Sequence, residues 1–262
     1  MHVTGEIEDA LSVFSTISLD DMGKADLMRR KDCKYIFGIP NLPAILSSVK
    51  DNYTVLEING IRSHNYETIY YDTPDREMYH MHHRGKTNRY KVRFRRYGTS
   101  DIMFLEVKRK DSKGITVKNR IRTGNSQAEI LTTEEAFLAA FVPYSRYRIF
   151  PVMENCFNRI TLVAHDRKER ITLDYGLRFS VPAGDTNMEV PGLSIAEIKY
   201  TEWLHRSFFH QALREQRIMP TRFSKYCIGT ALLNPHLKQN RFKEKVRKVY
   251  KINHAFNQTN HP

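Results

Sequence analysis

Charged and apolar residues alternate along residues 89–109, RYKVRFRRYGTSDIMFLEVKR. Successive side chains of a β-strand point to opposite faces, so this alternation predicts two strands, and Gly98 falls in the turn between them. The charged positions of the pair are Lys91, Arg93, Arg95, Glu106 and Lys108. The segment therefore predicts a hairpin with one apolar face and one charged face.

The same alternation recurs in other segments, among them Lys34 to Phe37, Gly114 to Arg122, Phe157 to Val163, Arg170 to Asp174 and Leu193 to Tyr200. Their charged positions are Lys34, Lys118, Arg120, Arg122, Arg159, Arg170, Asp174, Glu197 and Lys199. Helical patterns lie between and after the strands, including 126–141, 203–216 and 224–233. The sequence thus predicts an α+β protein whose strands are apolar on one side and mostly cationic on the other.

The overall charge makes the cationic faces more informative. The chain has 262 residues, with 42 Lys and Arg against 29 Asp and Glu, for a net charge of +13. Such an excess attracts polyanions such as nucleic acid, anionic lipid, nucleotides or polyphosphate. The three cysteines have no metal-type spacing, and neither a secretion signal nor a membrane-length apolar run is found. These features predict a cytoplasmic protein without a transmembrane segment.

Two interpretations of the charged faces compete. Each strand could be half exposed, with its charges in water, as in many antiparallel sheets. However, like charges on neighbouring strands repel each other, and a bound polyanion would relieve that repulsion. If the strands close into an antiparallel β-barrel tunnel with helices packed outside, the cations line the bore. Glu106, Asp174 and Glu197 share those faces and could hold Mn²⁺ or Mg²⁺ against phosphate groups.

Short motifs in the same order resemble the VTC-type polyphosphate polymerase domain of the triphosphate tunnel (CYTH-like) superfamily, in its stand-alone bacterial-type form. They are Lys34-Tyr, Tyr71-Asp-Thr, Lys91-Val-Arg-Phe-Arg, Phe104-Leu-Glu-Val-Lys, Asn158-Arg-Ile, Arg170-Ile-Thr-Leu-Asp, Glu197-Ile-Lys and Phe223-Ser-Lys-Tyr. The resemblance covers a tunnel domain (29–234). Apolar spacing predicts a helical lead-in before it (1–28), and charge marks a basic C-terminal extension after it (235–262). It implies ATP as the phosphoryl donor, a divalent metal, and inorganic polyphosphate as the product.

The resemblance also assigns candidate roles to residues. The expected catalytic, phosphate-binding cations are Lys34, Arg93, Arg95, Lys108, Arg159, Arg170, Lys199 and Lys225. Lys91, Lys118 and Arg120 face the same way and are second-rank substrate-binding candidates. The expected metal ligand is Glu197, with Glu106, Asp174 and Asp32 as further candidates. The hydrolytic branch of the superfamily carries Glu-x-Glu-x-Lys on its first strand, where this chain has Arg30 and Asp32.

Alternative functions remain open from the sequence. Asp32 keeps hydrolysis of inorganic or nucleoside triphosphates possible, and the net charge is compatible with a non-catalytic polyphosphate-binding module. Nucleic acid is disfavoured because no aromatic stacking motif is interleaved with the cations. The basic extension is a candidate for contact with polyphosphate or an acidic surface. The cluster of His80, His82 and His83 lacks a nearby carboxylate or thiol partner and is interpreted as a solvated helix end.

Overall fold

The computed structural model describes residues 2–23, 31–98, 102–124, 129–144 and 148–260. The strands are β1 (Thr16–Ile17), β2 (Lys31–Gly38), β3 (Tyr53–Leu56), β4 (Ser63–Asp72), β5 (Arg89–Tyr97), β6 (Ile102–Lys110), β7 (Thr116–Arg122), β8 (Phe150–Ala164), β9 (Glu169–Ser180), β10 (Asn187–Val190) and β11 (Leu193–Tyr200). The helices are α1 (His2–Ser12), α2 (Leu19–Gly23), α3 (Leu42–Val49), α4 (Glu77–Arg84), α5 (Thr132–Phe141), α6 (Phe208–Glu215), α7 (Lys225–Leu233) and α8 (Lys243–Asn260).

All eleven described strands belong to one sheet, whose main path runs β2-β11-β9-β8-β4-β5-β6-β7. Every pairing along that path is antiparallel, so the predicted α+β class with an antiparallel sheet is confirmed. Within the described residues no ladder joins β2 to β7, so the sheet is not closed into a complete hydrogen-bonded barrel.

The outer face of the sheet is covered by helices, as predicted. Tyr35 of β2, Leu173 of β9 and Ile198 of β11 are buried there in one apolar cluster with residues of α1, α3 and α6. The helix predicted over 203–216 is shorter than expected. Ser207 ends a single 3₁₀ turn, and its hydroxyl accepts the His210 N–H to begin α6, because a serine at this position caps a helix better than it continues one.

Helix α7 packs on the inner face of the sheet, an arrangement that periodicity does not reveal. Its residues from Tyr226 to Leu233 are all buried. They share a cluster with Ile36 of β2 and Phe179 of β9, which point to the opposite side from Tyr35 and Leu173. A Cβ on Gly229 would come within 2.5 Å of the Phe179 ring, so glycine is what permits this close approach.

The segment between α6 and α7 connects distant parts of the sheet. The Thr221 N–H donates to the Lys34 carbonyl of β2 at 2.6 Å, and the Ser224 hydroxyl accepts from Lys91 Nζ of β5 at 3.0 Å. Strands β2 and β5 are five positions apart along the sheet path. One short segment can reach both only if the sheet curves around its inner face, which is therefore concave.

The basic extension is folded onto the domain. Val246 and Val249 of α8 are buried, and Asn253 Oδ1 accepts the Gly192 N–H at 3.1 Å. Phe242 is partly buried against the cluster that contains α7, whereas Tyr250 is exposed. No helix among the described residues is both long and apolar enough to cross a membrane.

Candidate active site

Three carboxylates on the concave face each lie between two cations. The first is Glu106 of β6, which is fully buried. Arg93 of β5 donates to Glu106 Oε2 from Nε at 2.7 Å and from Nη2 at 2.5 Å, and Lys118 of β7 pairs with Oε1. Burial alone would raise the pKa of Glu106, but Arg93, Arg95 and Lys118 outweigh it and hold the pKa well below its usual value.

The second carboxylate, Asp174 of β9, is also buried. Arg159 of β8 forms a two-pronged contact with it, from Nε to Oδ1 at 2.6 Å and from Nη2 to Oδ2 at 2.8 Å. Lys225, the first residue of α7, pairs with Oδ2. Burial opposes ionisation of Asp174, yet these two cations keep its pKa below the ordinary range. Burial also lowers the pKa of Lys225, to about 8, although Asp174 counteracts this.

The third carboxylate, Glu197 of β11, is the most accessible, with 17% of its side chain exposed. Lys34 of β2 pairs with Oε1, and Lys199 Nζ lies 3.2 Å from Oε2. Burial, followed by repulsion from Lys199, lowers the pKa of Lys34 to about 7. Asp32 is directly opposite Lys199 in the β2/β11 ladder, so a second carboxylate lies at this end of the concave face.

Two further cations lack a carboxylate of their own. Arg95 of β5 is 8% exposed, and its closest polar partner is Thr68 Oγ1 at 3.4 Å. Lys108 of β6 is directly opposite Lys91 in the ladder. Neither Arg95 nor Lys108 makes an ion pair with any described residue. The pKa of Lys108 is lowered well below its usual value by Arg93 first and burial second, and that of Arg95 is lowered by burial and then by Arg93.

Aromatic rings lie beside these cations. Tyr66 is between the guanidinium groups of Arg95 and Arg159, at 5.6 and 4.9 Å from its centroid. The Phe157 ring is 4.1 Å from Lys225 Nζ. Ring faces attract cations without neutralising them, so the rings stabilise the positive charges without replacing an anion.

Buried positive charge with too few counter-ions is the defining property of this site. An uncompensated buried charge is costly, and a bound polyanion removes that cost. The face combines Arg guanidinium forks with Lys point charges, both of which suit phosphate oxygens. The concave face is thus a candidate binding site for a chain of phosphates.

Comparison with known families agrees with this geometry. The VTC domain family matches residues 29–234 of the chain. The chain belongs to the VTC domain family. Membership indicates an enzyme that acts on phosphate compounds.

Similar solved structures are distant in sequence. The HpAC1 protein from Hippeastrum, for which a dominant triphosphatase activity is stated, is 14% identical and covers 76% of this chain and 94% of its own, with a TM-score of 0.48. The bh2851 protein of Bacillus halodurans is 14% identical over 75% and 96%, with a TM-score of 0.46. The PH1819 protein of Pyrococcus horikoshii is 17% identical over 75% and 96%, with a TM-score of 0.43. No protein of curated function matches the chain.

The remaining residues predicted for the VTC domain occupy the same face. Arg170 of β9 is opposite Lys199 in the ladder, and its Nη2 donates to the Met22 carbonyl at 3.1 Å. Arg120 of β7 lies 4.8 Å from the centroid of Phe104, an inward-facing ring of β6. The structure therefore brings together the first-rank and second-rank cations, whose roles toward phosphate remain predictions. Arg30 lies outside the described residues.

The carboxylates of the site could bind a metal ion only together with other ligands such as substrate phosphates and water. The described residues contain no group of three or more Asp, Glu, His or Cys side chains that could hold an ion. Glu106 and Asp174 are buried in their ion pairs, whereas Glu197 is partly exposed and near Asp32. Magnesium-type ions in phosphoryl-transfer sites commonly use one or two carboxylates together with substrate phosphates and water. Glu197, with Asp32 nearby, fits that mode.

Sequence reasoning missed the connections made by α7. The Tyr226 hydroxyl donates to Asp72, whose carboxylate also accepts the N–H groups of Met78 and Tyr79 at 2.9 Å. This network fixes the start of α7 and, with it, Lys225. The histidine cluster is not the solvated helix end that the sequence predicted: His83 is buried with its ring against Phe242, and a ring nitrogen of His82 lies 3.1 Å from the Tyr90 carbonyl.

Proposed function

We propose that this VTC domain protein is a polyphosphate polymerase that transfers the γ-phosphoryl group of ATP to the end of an inorganic polyphosphate chain. In this reaction a terminal oxygen of the chain forms a bond to the γ-phosphorus. The bond between that phosphorus and the β,γ-bridging oxygen breaks, and its electron pair leaves with ADP. The observation that carries the proposal is the positive charge of buried Arg95 and half-buried Lys108, neither of which forms an ion pair with a described residue.

The surrounding residues suit this reaction because phosphoryl transfer depends mainly on positioning and charge neutralisation. Arg95, Lys108 and Nη1 of Arg159 would hold phosphate oxygens in line, whereas Nη1 of Arg93 would first have to leave the Tyr70 hydroxyl, to which it donates at 3.3 Å. Lys225, at the start of α7, would contact the same phosphates from the helix that packs on the inner face of the sheet. A divalent metal, when bound at Glu197, would supply further neutralisation of the β- and γ-phosphate charge.

The ion pairs favour transfer over hydrolysis. Attack by water requires a base to remove a proton, whereas a terminal polyphosphate oxygen is already ionised. Glu106 and Asp174 are poor bases because neighbouring cations hold their pKa values low. Hydrolysis of triphosphate compounds is the second candidate, since Asp32 is exposed near Glu197 and could orient water.

Product analysis tests the proposal. Purified protein is incubated with ATP and either Mn²⁺ or Mg²⁺, and the products are separated by electrophoresis and ion-exchange chromatography. We expect long polyphosphate chains and ADP. Orthophosphate without chain growth would instead identify a triphosphatase, and no turnover by the folded protein with either metal would refute the enzyme proposal.

A pair of variants separates catalysis from binding. Glu197→Gln should retain tripolyphosphate binding and lose turnover, because it removes the candidate metal ligand. Glu202→Gln is the control, since Glu202 is exposed and pairs with Lys168 at 2.6 Å outside the concave face. If Glu197→Gln turns over ATP as fast as the control, Glu197 has no role in the reaction.

A further inference from the structure

A second group of cations begins next to the concave face that carries the candidate site and continues over the protein surface. We call it the basic band. Its members, in spatial order from Lys91, are Lys110, Arg89, Lys86, Arg84, Arg241 and Lys238. Four of them are exposed, and Lys110 and Arg89 are half buried. None has been assigned a role in phosphoryl transfer.

The first half of the band is continuous with the cations of the concave face. Arg89 is directly opposite Lys110 in the β5/β6 ladder, and Lys91 follows two residues later on the same face of β5. Lys91 itself reaches Ser224 at the start of the segment that carries Lys225. Arg89 Nη1 donates to the Lys86 carbonyl at 2.7 Å, which holds the turn after α4 against the edge of this face.

The second half of the band is fixed by contacts between α4 and the segment before α8. Arg241 Nη1 donates to the Arg84 carbonyl at 2.7 Å, and the Arg241 N–H donates to His83 Nε2 at 3.3 Å. The Tyr79 hydroxyl donates to the Lys238 carbonyl at 3.1 Å. Cations from two distant parts of the sequence are therefore held side by side.

The band carries almost uninterrupted positive charge. Residues 84–91 and 238–243 contain no Asp or Glu, and the nearest carboxylates in the sequence are Asp111, after Lys110, and Glu244, after the second stretch. Two histidines of α4, half-buried His82 and buried His83, reflect this field: after burial, Lys91 and Arg89 lower the pKa of His82, and Lys238 and Arg241 lower that of His83. Surface cations usually alternate with carboxylates, so a one-sign band next to a phosphate site calls for an anionic partner.

We propose that the basic band binds the polyphosphate chain at the point where it extends beyond the charged face. This inference rests on the proposed function, because it takes polyphosphate as the occupant of that face. Polyphosphate fits better than single-stranded nucleic acid, whose bases commonly stack on exposed aromatic rings. The aromatic residues of this region are unsuitable, since Tyr79 is fully buried and Phe242 is packed against it at 5.6 Å between centroids.

Direct binding measurements test the proposal without requiring turnover. The triple variant K86Q/K110Q/K238Q removes three positive charges from the band and leaves its backbone contacts in place. The matched control K50Q/K168Q/R214Q removes three exposed charges elsewhere. Both full-length variants and the wild type are titrated with long-chain polyphosphate, tripolyphosphate and a single-stranded RNA oligonucleotide, after thermal melting has confirmed that each is folded.

We expect the band variant to bind long-chain polyphosphate about tenfold more weakly at low salt, because three charge contacts are lost, two from exposed lysines and one from half-buried Lys110. Its affinity for tripolyphosphate, which the charged face alone can accommodate, should match that of the wild type and the control. Unchanged long-chain affinity would overturn the proposal, and an equal loss of RNA binding would show a non-specific polyanion surface instead. Neither result depends on whether ATP is polymerised, so the proposed function would fail separately, in the product assay.

Discussion

Replacement of Glu106 by glutamine tests whether the carboxylates of the concave face act as built-in counter-ions. Glu106 is fully buried, and its main partner Arg93 has a side chain that is only 10% exposed. Glu106→Gln keeps the shape of the side chain and removes its charge. The Arg93 guanidinium is then left buried without a full counter-ion.

The structure sets the size of the effect. Breaking a buried ion pair by removing one partner costs about 3 kcal/mol or more of unfolding free energy. Lys118 adds little, since 36% of its side chain is exposed and water can solvate it. For a protein of this size, a loss of about 3 kcal/mol lowers the melting temperature by about 6 °C. The control is Glu67→Gln, whose partner Arg96 is 3.4 Å away on the exposed face of the same sheet and which should change stability by less than about 1 kcal/mol.

Denaturant and thermal unfolding of the two variants and the wild type provide the assay. The folded pKa of Glu106 lies below its unfolded value of 4.5, so its stabilising contribution is present above that pH and is lost as the pH falls through the folded pKa. The difference between wild type and Glu106→Gln should therefore shrink in acid. Saturating tripolyphosphate should also reduce the difference at neutral pH, because the bound anion neutralises Arg93. If Glu106→Gln is as stable as Glu67→Gln without ligand, the counter-ion account is wrong.

Two other properties of the molecule lead to measurable predictions. Because the pKa values of Lys34 and Lys225 are lowered to about 7 and about 8, both lysines are protonated in mild acid and lose charge as the pH rises. Tripolyphosphate affinity should fall about tenfold between about pH 6 and about pH 9, and calorimetric titration of K34R/K225R should show a smaller fall, since arginine stays charged while Lys108 and Lys118, whose pKa values are also lowered, still lose charge. Gly229→Ala should destabilise the protein by about 1 to 3 kcal/mol in thermal unfolding, because the new methyl group would meet the Phe179 ring. Gly5→Ala in α1, where nothing lies within 4 Å, should be neutral or stabilising, and equal effects at the two sites would show that α7 is not tightly packed.

The part of the fold and site that could be predicted is the part that depends on the alternation of side chains along each strand. In the region of Arg93, Arg95 and Glu106, a period of two determines which side chains share a face, and this requires no knowledge of distant contacts. The family resemblance supplied Lys225, which periodicity alone would have left on an ordinary helix. The tyrosines and phenylalanines beside the cations were in principle visible, since Tyr66 and Phe157 alternate in phase with their charged neighbours.

Long-range contacts explain what could not be predicted. Helix α7 is apolar almost all round, so its sequence shows that it is buried but not which face of the sheet covers it. Its position depends on the contact of Tyr226 with Asp72, residues 154 positions apart, and on the fit of Gly229 against Phe179. Similarly, the sequence does not show that β2 and β7 remain unpaired with each other. Each strand has a pattern that would allow pairing, and the distance between them depends on the curvature of the whole sheet.

Calorimetric titration of tripolyphosphate into Arg95→Gln tests the central claim most directly, with Arg96→Gln as its matched control. The two arginines are adjacent on β5 but face opposite sides of the sheet: Arg95 is buried on the concave face, whereas Arg96 forms a largely exposed pair with Glu67 on the outer face. If buried, uncompensated charge forms the phosphate site, Arg95→Gln should weaken binding about 100-fold, while Arg96→Gln should bind like the wild type. Wild-type affinity in the folded Arg95→Gln variant would contradict the account.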